Sequence, residues 1–272
     1  MTLTLPDRLL LVGAGKMGGA MLSGWLEQGL DPRSVVIRDP APPEEILTLI
    51  HDKDLRHVDG ALSERPTVAV IAVKPQSMNA VLPSVAPDIG PGTLVISIAA
   101  GTTISSIEAH LPPGSAVVRA MPNTPASVGR GMTVAFANPQ VSDKQREICT
   151  ALLAAIGKVA WIDDEALLDP VTAVSGSGPA YVFFLVECLA EAGVAAGLDA
   201  DLAMTLARHT IAGAGELVFQ ADESAETLRR NVTSPGGTTA AALEILMADD
   251  GMRHIMERAV AAAAKRSQEL SN

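Results

Sequence analysis

Two short stretches of this chain carry more hydrogen-bonding capacity than a connector needs. The first is "GAGKMG", residues 13–18, where Gly13, Gly15 and Gly18 form G-x-G-x-x-G after an apolar run and at the opening of a helical one. Each glycine has a mechanical reason: Gly13 permits a tight turn, Gly15 lets the backbone approach a pyrophosphate, and Gly18 lets helix and strand pack closely. Ala14, Lys16 and Met17 fill the places between them, where main-chain N–H groups and the helix dipole favour an anion. Between a strand and a helix, this pattern points to dinucleotide binding. The second stretch is "NVTSPGGTT", residues 231–239, which precedes an apolar helical run at 240–249. It gathers the hydroxyls of Thr233, Ser234, Thr238 and Thr239 around Pro235, Gly236 and Gly237. Free N–H groups at Gly236, Gly237, Thr238 and Thr239 would point out of that helix start and suit a carboxylate. The hydroxyls of Ser234, Thr238 and Thr239 add side-chain donors, one of them spare for a neighbouring atom.

The substrate-side motifs contain no His, Lys, Cys or carboxylate. That disfavours covalent catalysis and strong general acid–base work. Hydride transfer asks less of the protein, because the cofactor carries the hard chemistry. An imine asks least: its nitrogen arrives protonated and its carbon is already electrophilic, whereas a ketone needs an acid for the developing alkoxide. A hydroxyl-lined, lysine-free site therefore favours reduction of C=N over C=O.

Further candidates lie where predicted strands end, the edge at which open parallel sheets bind ligands. "VVIRDP" ends the second strand about 20 residues past the glycines. There Asp39 could take a ribose 2′-hydroxyl, as NAD requires, and Arg38 could pair with the 2′-phosphate of NADP; the sequence leaves the two open. "AVKPQ" (Ala72, Val73, Lys74, Pro75, then Gln76) ends another strand, and Lys74 either faces the ribose or nicotinamide or is an ordinary surface lysine. "SIAAG" at 97–101 offers small residues, Ala99 among them, on which a nicotinamide ring could lie. "RAMPNTP" places Asn123 between two prolines in a stiffened loop. "VSGSGPAY" at 174–181, which holds Ser175, reads as a small-residue turn with Pro179 at a first helical position and Ser177 or Gly178 as the cap.

The elements that must hold these residues follow from apolar patterning. Runs at 8–13, 34–39, 67–73, 93–99 and 115–121 are near-continuous in Val, Ile and Leu, as in a parallel sheet covered on both faces. Helical stretches such as 17–29 and 76–86 alternate with them, and further strands at 132–137 and 158–163 flank a helix at about 143–155. The pattern predicts a doubly wound, Rossmann-type α/β sheet over residues 1–164, followed by an all-α domain over 165–272. Within the latter, 179–197 is apolar almost all round, which predicts a helix buried on several sides or at a subunit interface. A stripe of Met252, Ile255, Met256, Ala259, Val260 and Ala263 marks the last helix.

Apolar residues make up 48% of the 272-residue chain and aromatics only 3%, so the core is aliphatic. The net charge of −11 argues against nucleic acid as a partner. Cys149 and Cys188 lie in apolar segments and read as buried free thiols; no Cys or His spacing suggests a metal. "MTLTLPDR" leads directly into a strand with no signal peptide, and no apolar run reaches the ~18 residues of a membrane span, so the cytoplasm is expected.

Taken in order, "VGAGKMG", "AVKPQ", "SIAAG", "RAMPNTP", "AVSGSGPAY" and "NVTSPGGTT" resemble the pyrroline-5-carboxylate reductases over about residues 8–268. The resemblance implies reduction of 1-pyrroline-5-carboxylate to proline with NADPH or NADH, by a homodimer with interlocked helical domains, often assembled into a decamer. It implies that residues 13–18 bind the pyrophosphate and that Val73, Lys74 and Pro75, with Ala99 and Asn123, lie by the nicotinamide half. It further implies that the substrate carboxylate meets the N–H groups of Gly237 and Thr238 and the hydroxyl of Ser234, with Gly236 and Ser175 counted alongside. Thr239 would hydrogen-bond the ring nitrogen as the catalytic residue, and Val232 would line the pocket. At "RDP" the chain departs from the family's common Ser/Asn-Arg pair. A β-hydroxyacid dehydrogenase has a similar pair of halves but requires a lysine and an asparagine where this chain has Val182 and Val186.

Overall fold

A computed structural model describes residues 6–271; the opening "MTLTL", with the leaderless start read from it, and Asn272 lie outside the described residues. The chain forms two compact units, Met1–Gly176 with Ala263–Asn272, and Ser177–Ala262.

The first unit runs β1 (Leu9–Val12), α1 (Lys16–Glu27), β2 (Val35–Arg38), α2 (Glu44–Asp52), β3 (Arg56–His57), β4 (Val68–Ile71), α3 (Met78–Val85), β5 (Leu94–Ser97), α4 (Ile104–Glu108), β6 (Ala116–Met121), β7 (Gly131–Ala137), α5 (Asp143–Ala154), β8 (Gly157–Trp161) and α6 (Leu168–Val171). The strands form one sheet in the order β3-β2-β1-β4-β5-β6-β7-β8. The first six are parallel in the 3-2-1-4-5-6 order of doubly wound nucleotide-binding folds. β7 returns antiparallel to β6, and β8 runs parallel to β7 after the α5 crossover.

Alternation along the strands explains the continuous apolar runs. Leu9 and Leu11 join Val35, Ile37, Val68 and Val70 in one core, closed by Met21, Leu22 and Trp25 of α1 and Leu152 and Leu153 of α5. Leu10 and Val12 face the other core with Ala69 and Ile71, closed by Met78, Leu82 and Val85 of α3 and Ile104 and Ile107 of α4. A strand buried on both sides needs apolar residues at every position. Trp25 is fully buried and donates its indole N–H to the Leu152 carbonyl at 2.8 Å. Cys149 is buried in this core, and burial pushes its thiol pKa up, which leaves it unreactive; Cys188, expected to match it, is only half-buried.

The second unit consists of α7 (Gly178–Ala195), α8 (Ala200–Gln220), α9 (Ala225–Asn231), α10 (Thr238–Leu246) and the first half of α11 (Met252–Ser271). No strand follows Trp161 among the described residues. Asp199 caps α8 by accepting from the N–H groups of Asp201 and Leu202, and the Ser224 hydroxyl caps α9. Gly193 lets α7 approach α8 closely, since a Cβ there would lie 3.2 Å from that of Ala203.

Two expectations for α7 are sharpened. Ser177 stands at the N-terminal boundary of α7, with Pro179 in the first turn, but it has helical dihedrals (φ −86°, ψ −23°) and its hydroxyl makes no capping bond. The chain enters α7 through α6 and a π-helical turn, Thr172–Gly176. Within its own chain α7 is not buried on several sides, which leaves the subunit-interface alternative standing. Only Ala190 is buried, and Phe183 and Phe184 are 61% and 63% exposed. The helical stretch Glu165–Ala195 is also long and apolar enough, by length and composition, to cross a membrane, contrary to the sequence reading.

Candidate active site

β1 ends at Val12, and the chain reverses into α1 through the glycine-rich turn. Gly13 has φ +87°, a conformation L side chains avoid, and its N–H donates to the Arg38 carbonyl at 2.9 Å. A Cβ on Gly13 would meet the Ala72 carbonyl oxygen at 2.7 Å, and one on Gly18 would meet the Gly13 carbonyl oxygen at 2.2 Å. Around Gly15, in contrast, nothing lies within 4 Å of a notional Cβ. Two glycines thus serve protein packing and the middle one leaves open space, the division of labour expected of a pyrophosphate turn. Gly15 begins α1 without a side-chain cap, so the first-turn donors at Lys16, Met17 and Gly18 are not taken up by one.

The other predicted cofactor residues reach the same edge. Asp39, Ala72 and Ala99 follow the C-terminal ends of β2, β4 and β5, which lie with β1 in the order β2-β1-β4-β5. The contact between Gly13 and Ala72 falls at the boundary of β1 and β4, where the strand order reverses and ligands of such sheets bind. Lys74 is exposed and precedes a 3-10 turn at Pro75–Ser77 that follows Val73. Ala99 is buried, its N–H held by the Ser97 hydroxyl at 3.3 Å. Asn123 accepts the Met132 N–H at 2.8 Å and donates to both the carbonyl and the hydroxyl of Ser175 at 3.2 Å. That amide joins two predicted site residues 52 positions apart.

At the end of β2 the two residues left open by the sequence have opposite fates. The Asp39 carboxylate accepts the Ala14 N–H at 2.6 Å and so sits on the glycine turn. The Arg38 guanidinium pairs instead with Asp88 at 2.7 Å, which removes it from the cofactor position the sequence allowed it. Sequence reading missed Asp88, an isolated carboxylate 50 residues away with no motif around it.

In the second unit, Ser234-Pro235-Gly236-Gly237 forms a turn in which the Gly237 N–H donates to the Ser234 carbonyl at 3.0 Å. Proline at the second place and a glycine of φ +67° at the third are what a type II turn requires. The turn delivers Gly237 as the N-terminal boundary of α10, with no side-chain cap. One donor expected to be free, Gly237 N–H, is therefore engaged by the turn itself. The Thr233 hydroxyl is engaged too, on the Arg229 carbonyl at 2.6 Å. Among the described residues, the hydroxyls of Ser234, Thr238 and Thr239 make no hydrogen bond within the chain. Val232 beside them is 68% exposed. The loop thus presents uncapped N–H groups, three hydroxyls and one apolar side chain, with no ionisable group among them.

Fold and turns define a dinucleotide-binding α/β unit joined to a helical unit, the organisation of a nicotinamide-dependent oxidoreductase. Comparison with known proteins narrows this. A family model described as pyrroline-5-carboxylate reductase dimerisation matches residues 165–270, and one described as NADP oxidoreductase, coenzyme F420-dependent, matches residues 8–101. A pyrroline-5-carboxylate reductase of Pseudomonas aeruginosa is 39% identical over 270 residues, covering 97% of each chain. The solved structure of one from Coxiella burnetii is similar with a TM-score of 0.90 at 34% identity, covering 98% of this chain and 99% of that one. That of Plasmodium falciparum pyrroline carboxylate reductase, solved with NADP bound, gives 0.82 at 29% identity over the whole of both chains. The chain belongs to the pyrroline-5-carboxylate reductase family.

Proposed function

We propose that this protein reduces the C=N bond of 1-pyrroline-5-carboxylate to L-proline with NADPH or NADH, the last step of proline biosynthesis. The observation that carries the reading is the Ser234–Thr239 loop: a type II turn feeding an uncapped helix, with three unengaged hydroxyls and no acid or base. A carboxylate needs such N–H and hydroxyl donors. A ring nitrogen that arrives protonated needs only a neighbour that can both accept and donate, which a threonine hydroxyl does.

The residues at the sheet edge fit the cofactor. Open space at Gly15, uncapped donors on α1 and the Asp39 carboxylate on the turn suit a pyrophosphate and an adenosine ribose. Val73, Lys74, Pro75, Ala99 and Asn123 would flank the nicotinamide half, which supplies the hydride when bound. In the loop, Ser234 and the Thr238 N–H would bind the substrate carboxylate, with Gly236 and Gly237 shaping the turn and Val232 covering the ring. Thr239 would hold the ring nitrogen so that the neighbouring carbon presents one face. Hydride addition to the protonated imine gives the neutral secondary amine directly, so no protein group has to change its charge. Ser175 would act with Asn123, to which it is hydrogen-bonded.

Residues 1–164 would thus serve the cofactor and 165–272 the substrate and self-association. The exposed apolar face of α7 supports a homodimer, and a decamer assembled from such dimers, in the cytoplasm, belongs to the same proposal. The test is spectrophotometric. Purified protein with pyrroline-5-carboxylate should consume NADPH or NADH; no turnover with either would sink the reading.

A further inference from the structure

Deepening the proposed reductase reading, we infer that this chain selects NADH over NADPH, with Asp39 as the selecting residue. In this fold the 2′-substituent of the adenosine ribose is read at the end of β2. Parity along β2 decides what stands there. Val35 and Ile37 face one core, whereas Val36 packs against the other, and Arg38 shares the parity of Val36. It therefore emerges on the side covered by α3 and the 3-10 turn after it. There its guanidinium donates to Asp88 and to the Gly60 carbonyl, both at 2.7 Å, and its side chain is only 10% exposed. Asp88 is itself 5% exposed and also accepts the Leu62 N–H at 3.1 Å. Swinging Arg38 out to meet a 2′-phosphate would leave a buried carboxylate without its counter-charge, the costly way to break an ion pair.

Asp39 remains, and it is pinned. One carboxylate oxygen accepts the Ala14 N–H of the glycine turn at 2.6 Å, and the other accepts the Ala41 N–H at 2.9 Å. Each oxygen keeps a lone pair, and an ionised carboxylate only accepts. It therefore suits the hydroxyl donors of an unphosphorylated ribose and repels a phosphate dianion at the same place. His57, the basic side chain hydrogen-bonded at this corner, gives its Nε2–H to the Asp39 main-chain carbonyl at 2.7 Å.

The test compares binding and turnover. Calorimetric titration of the full-length protein with NAD⁺ and with NADP⁺ should show NAD⁺ bound at least about tenfold tighter, the scale of one charge-assisted hydrogen bond. The kcat/KM values for NADH and NADPH should stand in the same order. Asp39→Ser should tighten NADP⁺ and weaken NAD⁺, closing most of the gap, with a thermal melt reporting whether the turn still folds. Wild-type protein that binds NADP⁺ as tightly as NAD⁺ overturns the inference without recourse to any variant. So does a folded Asp39→Ser protein with an unchanged ratio. Tight NAD⁺ binding without turnover of pyrroline-5-carboxylate would strike the proposed reaction and leave this inference standing.

Discussion

The α/β unit and the helical unit bury their apolar residues in different ways. In the first, Leu9 to Val12, Val68 to Ile71 and Leu94 to Ile96 are all buried, and helices close both faces of the sheet. In the second, Phe183, Phe184, Leu217 and Phe219 are each at least 60% exposed, and of α7 and α8 only Ala190, Ala203 and Ala207 are buried. An apolar surface of that extent marks an interaction face. One region therefore holds a finished core and the other presents half of one, which is consistent with a family model named for dimerisation over residues 165–270. Trp25→Ala and Phe184→Ala would break or sharpen the contrast. Removing Trp25 should cost about 3–5 kcal/mol in denaturant unfolding, at any protein concentration, because it empties a packed site and takes the indole donor from Leu152. Removing Phe184 should cost within about 0.5 kcal/mol in the isolated chain, with a larger loss only where a second copy covers it. Wild-type unfolding midpoints that ignore protein concentration would mean that no second copy covers this face.

A finer contrast lies within the glycine turn. Gly18→Ala drives a Cβ to 2.2 Å from a backbone oxygen that cannot move without shifting β1 or α1. It should cost about 1–3 kcal/mol of stability, with weakened NADH binding. Gly15→Ala meets nothing within 4 Å, and its φ of −67° suits any L residue. Its melting temperature should hold or rise slightly, while NADH affinity falls because a methyl occupies the space left for the pyrophosphate. Equal NADH affinity in wild-type and Gly15→Ala protein would remove Gly15 from the site.

The same physics sets what was legible beforehand. The seven longer strands lie where the sequence pattern placed them, and β1, β4 and β5 are the plainest because a two-sided sheet writes itself into every residue of a strand. β3, two exposed residues at Arg56–His57, leaves no such record. The antiparallel direction of β7 is set by the connection that precedes it, not by its composition. At the site, the glycine roles could be read because each follows from local geometry. The choice between Arg38 and Asp39 could not, since it rests on Asp88, whose partnership is tertiary. The tally of free donors before α10 missed by one for a subtler reason: the Ser234–Gly237 turn closes on the Gly237 N–H.

Thr239→Val is the smallest perturbation and isolates the substrate loop from both folds. Valine keeps the shape and β-branching of threonine, and the lost hydroxyl has no partner within the chain, so no buried group is orphaned. Stability should therefore change by less than about 0.5 kcal/mol. If the hydroxyl holds the ring nitrogen during hydride transfer, kcat should fall about tenfold, the equivalent of roughly 1.4 kcal/mol in the barrier. NADH binding, served by the glycine turn of the other unit, should not change. A fall in NADH affinity in place of kcat would show the loop serving the cofactor, and an unchanged kcat would take the catalytic role away from Thr239. The split between the two readouts matters because a general loosening of α10 would move melting temperature, KM and kcat together.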